Sequence, residues 1–204
     1  MNFIDFKQQF ENFTIFSISD VEKYYPDFNK MNFITWQKKN YISKLRNGKY
    51  RFDKKITNET ELFYIANKIY TPSYISLETA LNYYGLIPEA VFSIQSVSTL
   101  KTQSFENIQG LFNYSNIKSN YFFGYRHIST ENYTFKIADI EKTLLDFLYL
   151  RNSIKTIEDV EGLRLNKIIL KEKISIPKLD QYTTYMNSKL LHKKITLLKS
   201  CLYD

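Results

Sequence analysis

The sequence contains few of the residues that build disulfide frameworks and metal centres. Its 204 residues include one cysteine and two histidines. The single thiol, Cys201, excludes an intramolecular disulfide and a CxxC pair. His127 and His192 each stand alone in the sequence, so neither belongs to an HExxH motif. We therefore expect no metal site and no cysteine nucleophile.

Other familiar signals are also missing. The sequence lacks the glycine-rich motifs GxGxxG and GxxxxGK followed by Ser or Thr, and it lacks the hydrolase motif GxSxG. No stretch approaches the ~20 consecutive apolar residues of a transmembrane helix. The opening segment carries Asp5, Lys7 and Glu11 where a secretory signal would need an apolar run. These absences predict a cytoplasmic protein with no cofactor and no membrane partner.

One group of carboxylates raises the hypothesis of an enzyme. Asp139, Glu141 and Asp146 lie close together in "ADIEKTLLDFLYLR", as metal-dependent chemistry would require. A helix explains them better, because Asp139 can cap it and Glu141 favours the positive end of its dipole. Asp146 can pair with Lys142 four residues before it. We expect no catalytic residues and no enzymatic activity.

What the sequence does contain is an uneven distribution of positive charge. The formal net charge is +7, and residues 1–55 hold 11 basic and 6 acidic side chains. Between Lys30 and Lys55, nine basic residues accompany one acidic residue, Asp53. A lysine-rich composition could produce basic surfaces without function, but this concentration favours a local site for a polyanion.

The first 55 residues predict three short helices. Phe3, Phe6 and Phe10 recur at helical spacing and indicate an amphipathic first helix. In "SDVE", Ser19 and Glu22 form the pattern of a capping box that starts a second helix.

A tight turn then separates the second helix from a third, which is the arrangement of a helix-turn-helix. Pro26 ends helix two, Asp27 can cap helix three, and Asn40 can end it in the left-handed conformation. If Phe33 and Trp36 pack inward, five side chains of helix three point outward: Lys30, Met31, Ile34, Thr35 and Lys38.

A rotated third helix is the open alternative. It would expose Asn29 and Asn32, whose amides could pair with adenine.

A hairpin follows in "YISKLRNGKYRFDKK". Asn47-Gly48 is the strongest short-range signal for a two-residue type I′ turn, which would pair Arg46 with Lys49. The alternation of strand side chains then predicts one cationic face, formed by Lys44, Arg46, Lys49 and Arg51. The opposite face would be apolar, formed by Tyr41, Leu45, Tyr50 and Phe52. Facing like charges destabilise a sheet, so the pattern favours a partner that neutralises them, such as a phosphate backbone.

The remaining residues predict a larger domain of mixed structure. Helices are expected in "TNETELFYIANKIY" and "YISLETALNYYG", then four strands in "AVFSIQSVST", "GLFNYSNI", "YFFGYRHIS" and "NYTFKIA". A helix at "ADIEKTLLDFLYLR" and two or three more over 156–203 should follow. We expect an α+β fold, with an N-terminal winged helix-turn-helix (1–56) and a larger domain (57–204) that combines a mostly antiparallel sheet with C-terminal helices.

Four segments together resemble the antitoxins of the AbiE abortive-infection systems (the AbiEi family), which are type IV toxin–antitoxin systems. They are "DVEKYYPDFNKMNFITWQKKNYISKLRNGKYRF", "YTPSYISLETALNYYGLIPE", "KIADIEKTLLDFLYLR" and "VEGLRLN". The first ends in a Gly-x-Tyr hairpin, here Gly48-Lys49-Tyr50. Asn40 stands where related proteins often have glycine, and asparagine suits the same left-handed position.

The resemblance implies a transcriptional autorepressor that doubles as an antitoxin. Its winged helix would bind inverted repeats in its own promoter, and its larger domain would counteract a nucleotidyltransferase-like toxin encoded beside it. The positions implied to contact DNA are Lys30, Lys38, Lys39, Lys44, Arg46, Lys49 and Arg51. The alternative is a winged-helix module that docks an acidic protein without binding specific DNA.

Overall fold

The N-terminal elements follow one another in the order helix, strand, helix, helix, strand, strand. The structure is a computed structural model, and it describes residues 1–54, 56 and 58–203. The first elements are α1 (Phe3–Phe10), β1 (Phe16–Ser17), α2 (Ile18–Tyr24), α3 (Met31–Lys38), β2 (Ile42–Arg46) and β3 (Lys49–Phe52). The strands form a three-stranded antiparallel sheet in the order β1-β3-β2.

An aromatic core holds these elements together. The Phe6 ring centroid lies 4.6 Å from that of Trp36 and 5.3 Å from that of Phe16, which joins α1 to α3 and to the sheet. Burying each such ring stabilises the fold by roughly 1.5–3 kcal/mol. The buried residues of this core are Phe6, Phe10, Phe16, Val21, Phe28, Phe33, Trp36, Ile42, Tyr50 and Phe52.

The beginning of α2 differs from the prediction. Ser17 forms the capping box with Asp20, two residues earlier than the predicted Ser19 and Glu22. The Ser17 Oγ accepts the Asp20 N–H at 3.1 Å, and the Asp20 carboxylate accepts the Ser17 N–H at 2.9 Å. Ser17 takes this place because it pairs with β3 and is already extended when the helix begins.

α3, in contrast, begins later than predicted. The helix starts at Met31, whose N–H donates to the side chain of Asn29 at 2.9 Å, so Asp27 is not its cap. The side chain of Phe28 packs in the aromatic core, which keeps residues 27–29 outside the helix. The predicted end is confirmed, because Asn40 is left-handed with φ 55°.

A mixed sheet forms the centre of the larger part. Its elements are α4 (Glu59–Ile69), β4 (Ser73–Ile75), α5 (Leu77–Tyr83), β5 (Ser93–Ser98), β6 (Gln103–Asn107), β7 (Gly110–Asn116), β8 (Tyr125–Ser129) and β9 (Thr134–Ala138). The strand order is β6-β7-β5-β4-β9-β8. Three pairs are antiparallel, whereas β5–β7 and β4–β9 are parallel. The four predicted strands are present, and the short β4 and the polar β6 join them.

Five helices complete the fold: α6 (Ile140–Leu150), α7 (Ile157–Glu161), α8 (Lys167–Lys173), α9 (Ile176–Met186) and α10 (Lys189–Tyr203). Four of them lie after residue 156, against two or three predicted. The buried apolar side of α10 includes Leu191, Ile195, Leu198 and Leu202. The α+β class with C-terminal helices is therefore confirmed.

Buried apolar residues fall into two clusters, which the predicted boundary separates except at Leu45. The smaller is the aromatic core, and the larger includes residues from α4 to α10. Leu45 of β2 belongs to the larger cluster, so the hairpin contributes to both. The boundary between 56 and 57 stays a prediction, since Lys55 and Thr57 lie outside the described residues. No helix in the described ranges is long and apolar enough to cross a membrane.

Candidate nucleic-acid interface

The sequence left two orientations of α3 open, and the structure has the one in which Phe33 and Trp36 pack inward. Phe33 and Trp36 are buried, whereas Met31 is 60% exposed and Ile34 is 46% exposed. Thr35 and Lys38 are exposed on the same side. The rotated helix is not observed, because Phe33 and Trp36 face the core and Asn32 is half-buried, although Asn29 is exposed.

Two of the amides near α3 make local hydrogen bonds, and one of these, Asn29, is exposed. The Gln37 side chain donates to the Phe33 carbonyl at 2.9 Å, and the Asn29 side chain accepts the Met31 N–H. Asn32 is half-buried. The accessible surface of α3 is therefore mainly apolar and cationic.

Three lysines at the ends of α3 are open to solvent. Lys30 precedes the helix and pairs with Glu22 of α2 at 2.9 Å, with both side chains accessible. Lys38 ends the helix, and Lys39 follows it with its ammonium 5.9 Å from the centre of the Tyr41 ring. Exposed ion pairs contribute ~0–1 kcal/mol, so Lys30 can exchange its carboxylate for a phosphate at little cost.

The hairpin turns where predicted but pairs differently beyond the turn. Arg46 pairs with Lys49, as expected. Of the two turn residues, Gly48 has a positive φ of 74° and Asn47 does not, so the turn is not type I′. A β-bulge at Leu45 then shifts the register by one residue, and Ser43 pairs with Arg51. The predicted face of four cations is therefore wrong, because the shift pairs Lys44 with Tyr50 and so separates it from Arg46, and because Arg51 is buried.

The bulge directs Leu45 and Arg46 toward the larger part of the chain. The Arg46 guanidinium donates to the Ile69 carbonyl at 2.6 Å and lies 4.8 Å from the Tyr70 ring centre and 4.2 Å from that of Phe105. The Leu45 carbonyl accepts the Asn107 amide at 3.0 Å. Arg46 thus joins the hairpin to α4 and β6 and is half-buried there.

Arg51 is more completely withdrawn. Arg51 is 3% exposed, and its guanidinium donates to Glu61 of α4 at 2.7 Å. Burial lowers the pKa of Arg51, while the carboxylates of Glu61 and Asp53 act in the opposite direction. The prediction that Arg51 faces outward is wrong, because Glu61 neutralises it inside the protein. Lys44 is exposed and Lys49 is half-buried, and these two remain accessible on the hairpin.

Replacing Glu61 by glutamine should lower the free energy of unfolding by about 3 kcal/mol, because Arg51 would keep its buried charge without a carboxylate. Urea denaturation measures this loss. Glu59→Gln, an exposed change on the same helix, is the matched control and should cost less than about 1 kcal/mol. Equal losses for the two variants would contradict the burial of an essential ion pair.

The carboxylates considered for catalysis belong to a buried polar network. Asp146 pairs with the ammonium of Lys142, and both side chains are fully buried. The other oxygen of Asp146 accepts the Tyr74 and Ser76 hydroxyls, each at 2.9 Å. Burial raises the pKa of Asp146, although Lys142 and the two hydroxyls favour its anion. Each oxygen of this carboxylate therefore has protein partners.

The other two carboxylates are likewise engaged. Asp139 caps α6 through the Lys142 N–H and accepts the Tyr182 hydroxyl at 3.1 Å. Glu141 accepts the Ser175 N–H at 2.8 Å, and Lys178 bridges it to Asp139. Burial by itself would raise the pKa of Glu141, but the Ser175 N–H and Lys178 hold it below the ordinary value. Within the described ranges, no three His, Cys, Asp or Glu side chains are grouped as metal ligands.

Gly124 allows this network to pack closely. Its φ is +70°, and a Cβ there would lie 2.9 Å from the Lys142 Cβ and 3.0 Å from the Tyr182 ring. Gly124→Ala should therefore cost about 2–5 kcal/mol of unfolding free energy, from backbone strain and overpacking together. Gly48→Ala is the control, because its φ of +74° is similar but nothing lies within 4 Å. If urea denaturation shows equal losses of unfolding free energy for the two variants, overpacking at Gly124 does not contribute.

Comparisons with known proteins do not select among these surfaces. No protein-family model matches the chain, and a search of curated proteins returns no match. Inference about function therefore depends on the residues of this chain.

Proposed function

We propose that residues 1–56 are a winged helix-turn-helix that binds double-stranded DNA. The order of elements and the β1-β3-β2 sheet support this assignment, with α3 as the helix that enters the major groove and β2-β3 as the wing. The observation that carries the proposal is the exposed face of α3, which has accessible lysines at both ends.

The phosphate contacts proposed here come from five of the seven residues that the resemblance implies: Lys30, Lys38, Lys39, Lys44 and Lys49. Arg46 and Arg51 are left out of this set, since both guanidiniums are bound to the larger part of the chain. They position the hairpin, and the lysines supply affinity through counterion release.

The larger domain, residues 57–204, is proposed to be the antitoxin part. Its support is the resemblance of "YTPSYISLETALNYYGLIPE", "KIADIEKTLLDFLYLR" and "VEGLRLN" to the AbiE antitoxins. The chain would repress its own operon and counteract a nucleotidyltransferase-like toxin encoded beside it.

A gel-shift assay tests the DNA-binding proposal. The chain should retard DNA from upstream of its own gene at concentrations that leave a random duplex of equal length free. Equal affinity for both duplexes would reject a repressor. Co-expression with the neighbouring reading frame tests the antitoxin proposal, which fails if that product is harmless or if its toxicity persists.

One observation favours a second candidate, a module that docks another protein. Met31 and Ile34 are large apolar side chains on an exposed surface, and such residues often mark protein interfaces. This candidate predicts no preference for upstream DNA in the gel-shift assay.

A further inference from the structure

The accessible side chains of α3 offer unusual chemistry for reading base edges. Arginine or lysine supplies most direct contacts to guanine, and asparagine or glutamine amides supply most of those to adenine. The sequence of α3, MNFITWQK, contains no arginine, and its one lysine, Lys38, is the last residue of the helix. The amide of Gln37 is bound to the Phe33 carbonyl, and Asn32 is half-buried. Asn29 is exposed, but it precedes the helix and its side-chain oxygen accepts the Met31 N–H. The α3 face formed by Met31, Ile34 and Thr35 is accessible and ends in methyl groups.

The major groove presents one apolar group of its own, the 5-methyl group of thymine. We propose that this α3 face recognises thymine methyl groups, so that the operator half-site under α3 is rich in A·T pairs. This inference rests on the proposed function, and it makes Met31, Ile34 and Thr35 specificity-determining residues. The lysines at both ends of α3 place phosphate-binding charge beside the apolar face, which favours DNA as its partner over an apolar protein surface.

The spacing of the three side chains fits adjacent base pairs. Met31, Ile34 and Thr35 stand at i, i+3 and i+4, and therefore share one side of the helix. From Met31 to Thr35 the helix rises ~6 Å, whereas neighbouring base pairs are ~3.4 Å apart. The face therefore spans about two base steps. Two or three thymines per half-site should carry the recognition.

The experiment replaces thymine by deoxyuridine, which removes the methyl group and preserves base pairing. Fluorescence anisotropy measures the affinity of the full chain for the upstream duplex, with one thymine exchanged at a time. We expect about a fourfold loss at each contacted thymine, the effect of one buried methyl group. Exchanges outside the half-sites are the control and should have no effect.

Two variants assign the contacts to α3. Ile34→Ala should weaken binding to the thymine duplex and abolish the thymine–uracil difference at its own position. Thr35→Ser removes one methyl group but keeps the hydroxyl. It should weaken binding and abolish the thymine–uracil difference at a neighbouring position. Both residues are exposed, so melting temperatures should not change. Affinity for random DNA should also be unchanged.

The outcomes separate this inference from the proposed function. Preference for upstream DNA with no effect of any uracil exchange would overturn the inference and leave the repressor standing. No preference for upstream DNA would reject the repressor itself, and the inference with it. If Ile34→Ala leaves every DNA affinity unchanged, the apolar face serves another partner and the inference is wrong.

Discussion

Changing Lys38, Lys39, Lys44 and Lys49 together to alanine should reduce affinity for upstream DNA on the order of a hundredfold or more at 50 mM salt. Each lost phosphate contact also removes ~0.9 from the slope of log K against log salt concentration. The quadruple variant should therefore flatten that slope by about 3 to 4. Anisotropy titrations at several salt concentrations measure both quantities.

The control removes the same charge from another surface. Lys101, Lys167, Lys189 and Lys193 are exposed side chains of the larger part. Their replacement by alanine gives an equal net charge but should leave the salt slope unchanged, because local contacts and not total charge release the counterions. Both variants should keep the melting temperature, since none of the eight lysines is fully buried. Equal effects on binding would contradict the proposed interface.

Asp146→Ala should lower the free energy of unfolding by about 3–5 kcal/mol, the loss expected when one partner of a buried ion pair is removed. The change leaves the Lys142 ammonium without its carboxylate and takes the acceptor from the Tyr74 and Ser76 hydroxyls. Leaving a buried donor without an acceptor costs more free energy than its hydrogen bond contributed to stability. Urea denaturation provides the measurement.

Two further variants identify the cause of that loss. Lys142→Met combined with Asp146→Asn removes both charges and keeps an amide oxygen for the two hydroxyls, so most of the stability should return. Asp180→Ala breaks a comparable pair with Lys199 at the surface and should cost no more than about 1 kcal/mol. If the double variant is as unstable as Asp146→Ala, loss of packing and not uncompensated charge is responsible.

Near residue 40, the sequence by itself determined much of the local structure. Asparagine ended α3 in the left-handed conformation. Helical spacing left two faces of α3 open, and the structure buries Phe33 and Trp36. The Asn47-Gly48 turn and its first pair were also predictable. These features depend on residues a few positions apart, whose preferences act before any distant contact forms. The beginnings of α2 and α3 were not predicted correctly, because they depend on distant contacts. Ser17 pairs with β3, and the Phe28 side chain packs in the aromatic core.

Tertiary structure alone decided which cations remain available. Arg46 contacts Ile69, 23 residues further along the chain, and its ring partner Phe105 is more distant still. Arg51 finds its carboxylate ten residues away, on α4. No local pattern distinguishes these arginines from Lys44 or Lys49. Arg46 and Arg51 reach the larger part, where aromatic rings and a carboxylate compensate their charge, whereas Lys44 and Lys49 remain accessible to solvent.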